Sequence, residues 1–162
     1  MKELLIIRHA KSSWDNPLLT DFFRPLNKRG LRDAPAMAAK IAEHNIALDL
    51  LLTSDAKRAY ATCQFFSEQF PKAKVEADSR LYEALPKNFY EIIAGISNQY
   101  SSVAVFAHNT GVTDFANQLT NVHVDVVPTC GIFAVKIKVD SWKDFQKGKK
   151  VFWFFDYPKN LL

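Results

Sequence analysis

An arginine and a histidine, Arg8 and His9, close the apolar run Leu4 to Ile7. Two more apolar runs also end on polar groups, one at Thr53, Ser54 and Asp55 and another at His108 and Asn109, and Arg58 follows four residues after Ser54. Two imidazoles and two guanidiniums suit a multiply charged oxyanion, because arginine offers forked donors and a helix amino terminus adds oriented N–H groups. Phosphate fits that donor set best. A neutral imidazole in such surroundings can also attack phosphorus while the other groups hold the equatorial oxygens in line. The chemistry expected is phosphoryl transfer.

Each feature alone has a plainer explanation. His108, followed by Asn109, Thr110 and Gly111, suits a helix cap. Arg58, after Lys57, suits a solvated helix face. It is their arrival at one place that points to a site, and that depends on the fold.

Five short runs rich in branched and aromatic residues read as strands: Leu4 to Ile7, Leu48 to Leu52, Val103 to Ala107, Gly131 to Ile137 and Val151 to Phe155. Helical spacing lies between the first four. One helix follows Asn27 and places Leu31, Ala34, Ala38 and Ile41 on one face, with Gly30 and Pro35 weakening its first turns. A second runs from Ala56 to Phe70, capped by Ser54 or Asp55 and stopped by Pro71; a third covers Lys87 to Gln99; a fourth runs from Gly111 to Asn121. Alternation of strand and helix predicts an α/β fold, a three-layer α/β/α sandwich with a mostly parallel central sheet. The last two strands flank the polar turn SWKDFQKGKK as an antiparallel carboxy-terminal hairpin. In such sheets ligands bind beyond the carboxyl ends of the strands, where all of these polar run-ends would lie.

The 162 residues, 48% hydrophobic and 23% charged, predict a single domain with a buried core. MKELLIIRHA holds too few consecutive apolar residues for a signal-peptide core or a membrane span. Cys63 and Cys130 lie far apart and outside metal-type spacing, reading as buried small hydrophobes in a reducing compartment. A cytoplasmic protein is expected, a monomer, with neither membrane nor nucleic acid as partner. The net charge of +4 favours anions without choosing among them. Trp153, Tyr157 and the lysines at 147, 149 and 150 could suit single-stranded nucleic acid, but a hairpin beside a buried strand explains them more simply. His44 and His123 read as surface residues. No zinc-type cluster or P-loop glycine pattern occurs, so neither a metal nor another cofactor is expected.

The chain resembles the histidine phosphatase superfamily, also called phosphoglycerate-mutase-like, and within it the SixA-like phosphohistidine phosphatases. The stretches that carry the likeness are RHAKSSW, DFFRPLNKRG (Asp21 to Gly30), TSDAKRAYATC (Thr53 to Cys63), LYEA (Leu81 to Ala84), AHNTGVTDFANQL (Ala107 to Leu119), VPTCGIFAV (Val127 to Val135) and YPKNL near the end. The resemblance implies a phosphatase that forms phosphohistidine on His9, with Arg8, Arg58 and His108 binding the phosphoryl group and Ser12 and Asn109 lining the substrate site. Arg24 either faces the phosphate or anchors its loop. Glu83 stands where many members carry a general-acid carboxylate; its plainer explanation is a solvated glutamate at a helix start.

Two departures stand out. The usual opening Arg-His-Gly is Arg-His-Ala here, so the backbone at Ala10 needs no positive φ. Ser12 and Trp14 match the mutase opening, but Asp15 precedes Asn16, and an aspartate beside a phosphate would repel it. Either Asp15 points away or that part of the site differs. A short chain without large insertions favours an open site that admits a phosphorylated protein. A small phosphomonoester is the alternative substrate, and a non-catalytic anion-binding module the alternative class.

Overall fold

The computed structural model describes residues 1–158, so the last three residues of YPKNL lie outside the described residues. In chain order the elements are β1 (Lys2–Arg8), α1 (Lys28–Ala42), β2 (Leu50–Thr53), α2 (Lys57–Gln69), β3 (Lys74–Ala77), α3 (Pro86–Ala94), β4 (Ser102–Ala107), α4 (Gly111–Leu119), β5 (Ile132–Lys138) and β6 (Lys149–Asp156). Short 3₁₀ turns cover Asp21–Phe23, Ser79–Leu81 and Trp142–Asp144. The strands form one sheet in the order β3-β2-β4-β1-β5-β6.

β1 is buried on both sides because its side chains alternate between two cores. Leu4 and Ile6 join Phe89, Phe115 and Trp142 under α3 and α4, while Leu5 and Ile7 join Met37, Ile41 and Phe66 under α1 and α2. This is the three-layer sandwich. β1, β2, β3 and β4 pair in parallel. The hairpin β5–β6 is antiparallel, and β5 also runs against β1. The reversal follows from the connection: after α4 the chain returns to the carboxyl end of β1, where Val127 O takes the Arg8 guanidinium, before β5 begins.

The structure differs from the sequence expectations at several points. β3 is an added strand, the half-exposed sheet edge KVEA, whose polar residues leave no apolar run to detect. α3 stops at Ala94 with Gly95 as its C-cap rather than reaching Gln99. Neither Ser54 nor Asp55 caps α2; its N-cap is Ala56, with no side-chain cap. Leu31 is 52% exposed. It lies about 100° around α1 from Gly30, past the edge of the buried arc. Gly30 is buried for a reason other than helix weakness: a Cβ there would run into the Lys11 carbonyl oxygen. The turn SWKDFQKGKK is not simply polar, since Trp142 and Phe145 are fully buried and the Trp142 indole N–H donates to Tyr100 O at 2.7 Å. Cys63 and Cys130 are buried free thiols. Among the described residues no helix is long and apolar enough to cross a membrane.

Candidate active site

The carboxyl ends of β1, β4 and β2 lie side by side, and each delivers one part of a polar cluster. β1 ends at Arg8, with His9 beyond it; β4 is followed by His108; β2 is followed by Ser54 and, in the first turn of α2, Arg58. His9, Arg58 and His108 are each at most 7% exposed.

The backbone around His9 is held from three directions. Its N–H donates to Ala107 O on β4 at 3.1 Å, its carbonyl accepts from Cys130 N at 3.0 Å, and the next N–H, of Ala10, donates to Thr62 Oγ1 at 3.0 Å. Thr62 in turn donates to Arg58 O at 2.8 Å, tying α2 to the same loop. Ala10 adopts no positive φ, as its side chain requires.

Within that frame His9 Nδ1 lies 2.7 Å from Ala10 O. A carbonyl can only accept, so Nδ1 carries the proton and Nε2 keeps its lone pair. Arg58 Nε stands 3.4 Å from that Nε2, and the His108 ring centroid is 5.2 Å from that of His9. His108 Nε2 is 2.8 Å from Ser54 Oγ, which also accepts from Ala56 N at 3.2 Å. Burial, with the charges of Arg58 and Arg8 nearby, lowers His108 to about 4. Burial above all lowers His9 to about 3, against the hydrogen bond to Ala10 O, with His108, Arg58 and Arg8 adding to the fall. Both imidazoles are therefore neutral at neutral pH.

Arg8 donates to Val127 O at 3.1 Å, and burial and the like charge of Arg58 lower its pKa. Its Nε and the His108 Nδ1 are buried and find no hydrogen-bond partner among the described residues. The Arg8 Nε is a buried donor left unpaired, which is costly, and an oxyanion is the kind of group that relieves it.

The other expected residues have other commitments. Arg24 donates to Ser13 O at 3.0 Å, to Asp21 Oδ1 at 2.9 Å and to Ser12 Oγ, and its guanidinium lies 3.3 Å over the Trp14 ring. Those contacts anchor the loop. Ser12 is the partner of Arg24. Asn109 spans Val127 O, at 3.0 Å, and Thr113 Oγ1, at 2.8 Å, joining α4 to the return segment. Glu83 is exposed, sits in the turn before α3 with φ 59°, and its side chain makes no hydrogen bond to a described residue. Asp15 is exposed. His44 and His123 are exposed, and Trp153 is half-buried with the Lys136 ammonium 4.4 Å from its ring.

Two residues that sequence reasoning passed over belong to the cluster. Asp21 Oδ2 accepts from Arg58 NH2 at 2.9 Å and from Tyr82 Oη at 2.6 Å. Asp21's own partial burial works to raise its pKa, but Tyr82, Arg58 and Arg24 outweigh it and hold the carboxyl well below its ordinary value. Tyr82, its pKa raised by that hydrogen bond, sets its ring edge-on to His108 with centroids 5.4 Å apart. The one local signal was the spacing of Asp21 and Arg24, which suits an ion pair on a helical turn. Among the described residues no group of three or more His, Cys, Asp or Glu is placed to hold a metal ion.

Residues 4–90 match the histidine phosphatase superfamily (branch 1). A chloroplastic protein of Arabidopsis thaliana, itself uncharacterised, is 29% identical over 153 residues, covering 88% of this chain and 70% of that protein. A putative phosphohistidine phosphatase SixA from Agrobacterium tumefaciens superimposes with a TM-score of 0.83 at 22% identity, over 98% of this chain and 99% of that one. A protein histidine phosphatase SixA solved with tungstate gives 0.82 at 20% identity, over 99% of both chains. At such identities the structural likeness is a likeness of fold.

Proposed function

The chain belongs to the histidine phosphatase superfamily, branch 1, and on that footing we propose that it hydrolyses phosphohistidine on proteins through a phosphorylated His9, without a metal. The observation that carries this reading is the orientation of His9. Its Nδ1 is held by Ala10 O, and its free Nε2 faces Arg58 beside His108.

In the first step Nε2 bonds to phosphorus as the bond from phosphorus to the leaving nitrogen breaks, and the leaving imidazole, already protonated on its other ring nitrogen, departs neutral. In the second, water attacks phosphorus, the bond to Nε2 breaks, and phosphate leaves with His9 restored. Arg8, Arg58 and His108 stabilise charge on the equatorial oxygens. The Arg58 Nε, already beside Nε2, is placed to donate to an oxygen of a phosphoryl group bonded there. An imidazole protonated on its distal nitrogen leaves more readily than an alkoxide, so this substrate asks little of a general acid, the part the resemblance gives to Glu83.

The surface around the cluster favours a protein-borne phosphate. Exposed apolar side chains occur on the segments that build the site: Trp14, Leu18 and Leu19 ahead of Asp21, Phe23 beside Arg24, Tyr60 beside Arg58, and Leu85 after Tyr82. Phe22, Phe23, Tyr60 and Ala61, with Asp55, Lys57 and Gln64, also line a groove of about 330 Å³. A sugar or nucleoside needs hydrogen-bonding walls, whereas an apolar border suits another protein's surface.

The test compares kcat/KM, in excess chelator, for a phosphohistidine protein, an aryl phosphate, sugar phosphates and nucleoside phosphates. The phosphohistidine protein should lead. Leu18→Ser and Phe23→Ser should raise KM for the protein alone and leave the aryl phosphate unaffected. A sugar or nucleoside phosphate in first place would overturn the substrate assignment.

A further inference from the structure

The carboxylate of Asp21 stands among cationic groups that would otherwise be free for a phosphoryl group. A negative charge there opposes oxyanion binding by simple Coulomb repulsion. Its presence calls for another role, and the hydrogen bonds supply one.

Arg58 has three donor nitrogens. NH1 donates to Asp21 O at 2.7 Å and NH2 to Asp21 Oδ2 at 2.9 Å, so a single residue takes both ends of the fork. That leaves the Nε edge turned to His9 Nε2. Asp21 is itself fixed from two further sides. Arg24 donates to its Oδ1 at 2.9 Å while stacked on Trp14 and bonded to Ser13 O, and Tyr82 donates to its Oδ2 at 2.6 Å. Through Tyr82 the carboxylate also reaches the ring that borders His108. The carboxylate, braced within its own turn by Arg24, therefore ties that turn to two other segments, α2 at Arg58 and the turn that carries Tyr82.

We propose that Asp21 is the positioning residue of the site: it holds the Arg58 guanidinium in the one orientation that presents its Nε edge to the nucleophile, and Arg24 and Tyr82 hold Asp21. It touches no reacting atom and acts through Arg58. This rests on the reading of the cluster as an oxyanion site. A long side chain such as arginine gains most when it is oriented before the ligand arrives, because each donor that is already aligned need not be ordered on binding.

The two roles open to a carboxylate here predict opposite results on removing its charge. As a mere local anion, Asp21 would weaken oxyanion binding, and Asp21→Asn would tighten it. As a positioning group, its loss should weaken binding even though a repulsive charge has gone, since an asparagine NH₂ turned toward Arg58 or Arg24 offers a donor where an acceptor is needed.

The experiment uses the full chain, with tungstate affinity by calorimetry, aryl phosphate kinetics and thermal melting for wild type, Asp21→Asn, Asp21→Glu and Tyr82→Phe. Asp21→Asn should bind tungstate about tenfold more weakly and lose about tenfold or more in kcat, the scale of a misplaced catalytic group. Asp21→Glu should recover part of both, and Tyr82→Phe should show a smaller loss in the same direction. If Asp21→Asn is too unstable to measure, the other two variants decide by the same readouts. Tungstate affinity equal to or tighter than wild type, with kcat within twofold, would overturn the proposal. Wild type that binds tungstate without turning over any phosphate ends the phosphatase reading alone, because the binding comparison still decides Asp21; wild type that binds no tungstate contradicts both.

Discussion

His9 Nδ1 lies 2.7 Å from the carbonyl oxygen of Ala10, the next residue in the chain, so the loop that carries the nucleophile also sets its tautomer. At neutral pH His9 should hold its proton on Nδ1 and leave Nε2 bare. Long-range proton–nitrogen NMR correlations report this directly. A proton on Nε2 in the free protein would contradict the geometry.

Arg58 is bonded at both ends of its fork and has its third nitrogen near His9. Arg58→Ala should lower kcat/KM for an aryl phosphate by about 10²- to 10³-fold. Arg58→Lys should recover little, since one ammonium cannot bond Asp21 O and Oδ2 and also face Nε2. Lysine activity within threefold of wild type would show that charge alone suffices.

Stability should fall in mild acid. His9 is lowered to about 3 and His108 to about 4, while both titrate near 6.5 in the unfolded chain. From pH 6.5 down toward 4 the unfolded state therefore binds more protons than the folded one. The stability these groups contribute is full above 6.5 and lost progressively below it, at a limiting slope of about 1.4 kcal/mol per pH unit for each. Urea unfolding between pH 7 and 5 measures the slope, and His108→Asn should reduce it. A flat profile would mean that the histidines are not buried as neutral groups.

Gly30→Ala sets propensity against packing. Alanine favours a helix by up to about 1 kcal/mol over glycine. Its Cβ, however, would overlap Lys11 O, a backbone atom in the loop after His9. The net loss should be on the order of 1–3 kcal/mol by urea unfolding. A neutral or stabilised variant would show that the loop yields freely.

The legible parts of this protein were those in which one segment carries its own signal. β1, β4 and β5 announce themselves as apolar runs because they are buried on both faces, and the ends of the β1 and β4 runs mark where Arg8, His9 and His108 emerge. β3 could not be read, since an edge strand has no need of apolar residues. Nor could Trp142, whose polar neighbours hide a side chain buried by distant α3 and α4. The same limit applies to the site. Asp21 meets Arg58 across 37 residues of sequence and Tyr82 across 61, pairings that only the folded chain creates. Asp15 drew attention as the aspartate that would repel a phosphate. The carboxylate that stands in the cluster is Asp21, six residues later, held by Arg24 and Arg58.

The most direct test of the mechanism is the fate of phosphate on His9. The protein is mixed briefly with a ³²P-labelled phosphodonor, quenched with denaturant, and examined for bound label. Wild type should carry acid-labile, base-stable label on one histidine, placed at residue 9 by peptide mapping, and His9→Ala should carry none. Label that persists in His9→Ala, or turnover that survives the substitution, would contradict the assignment of His9 as the nucleophile.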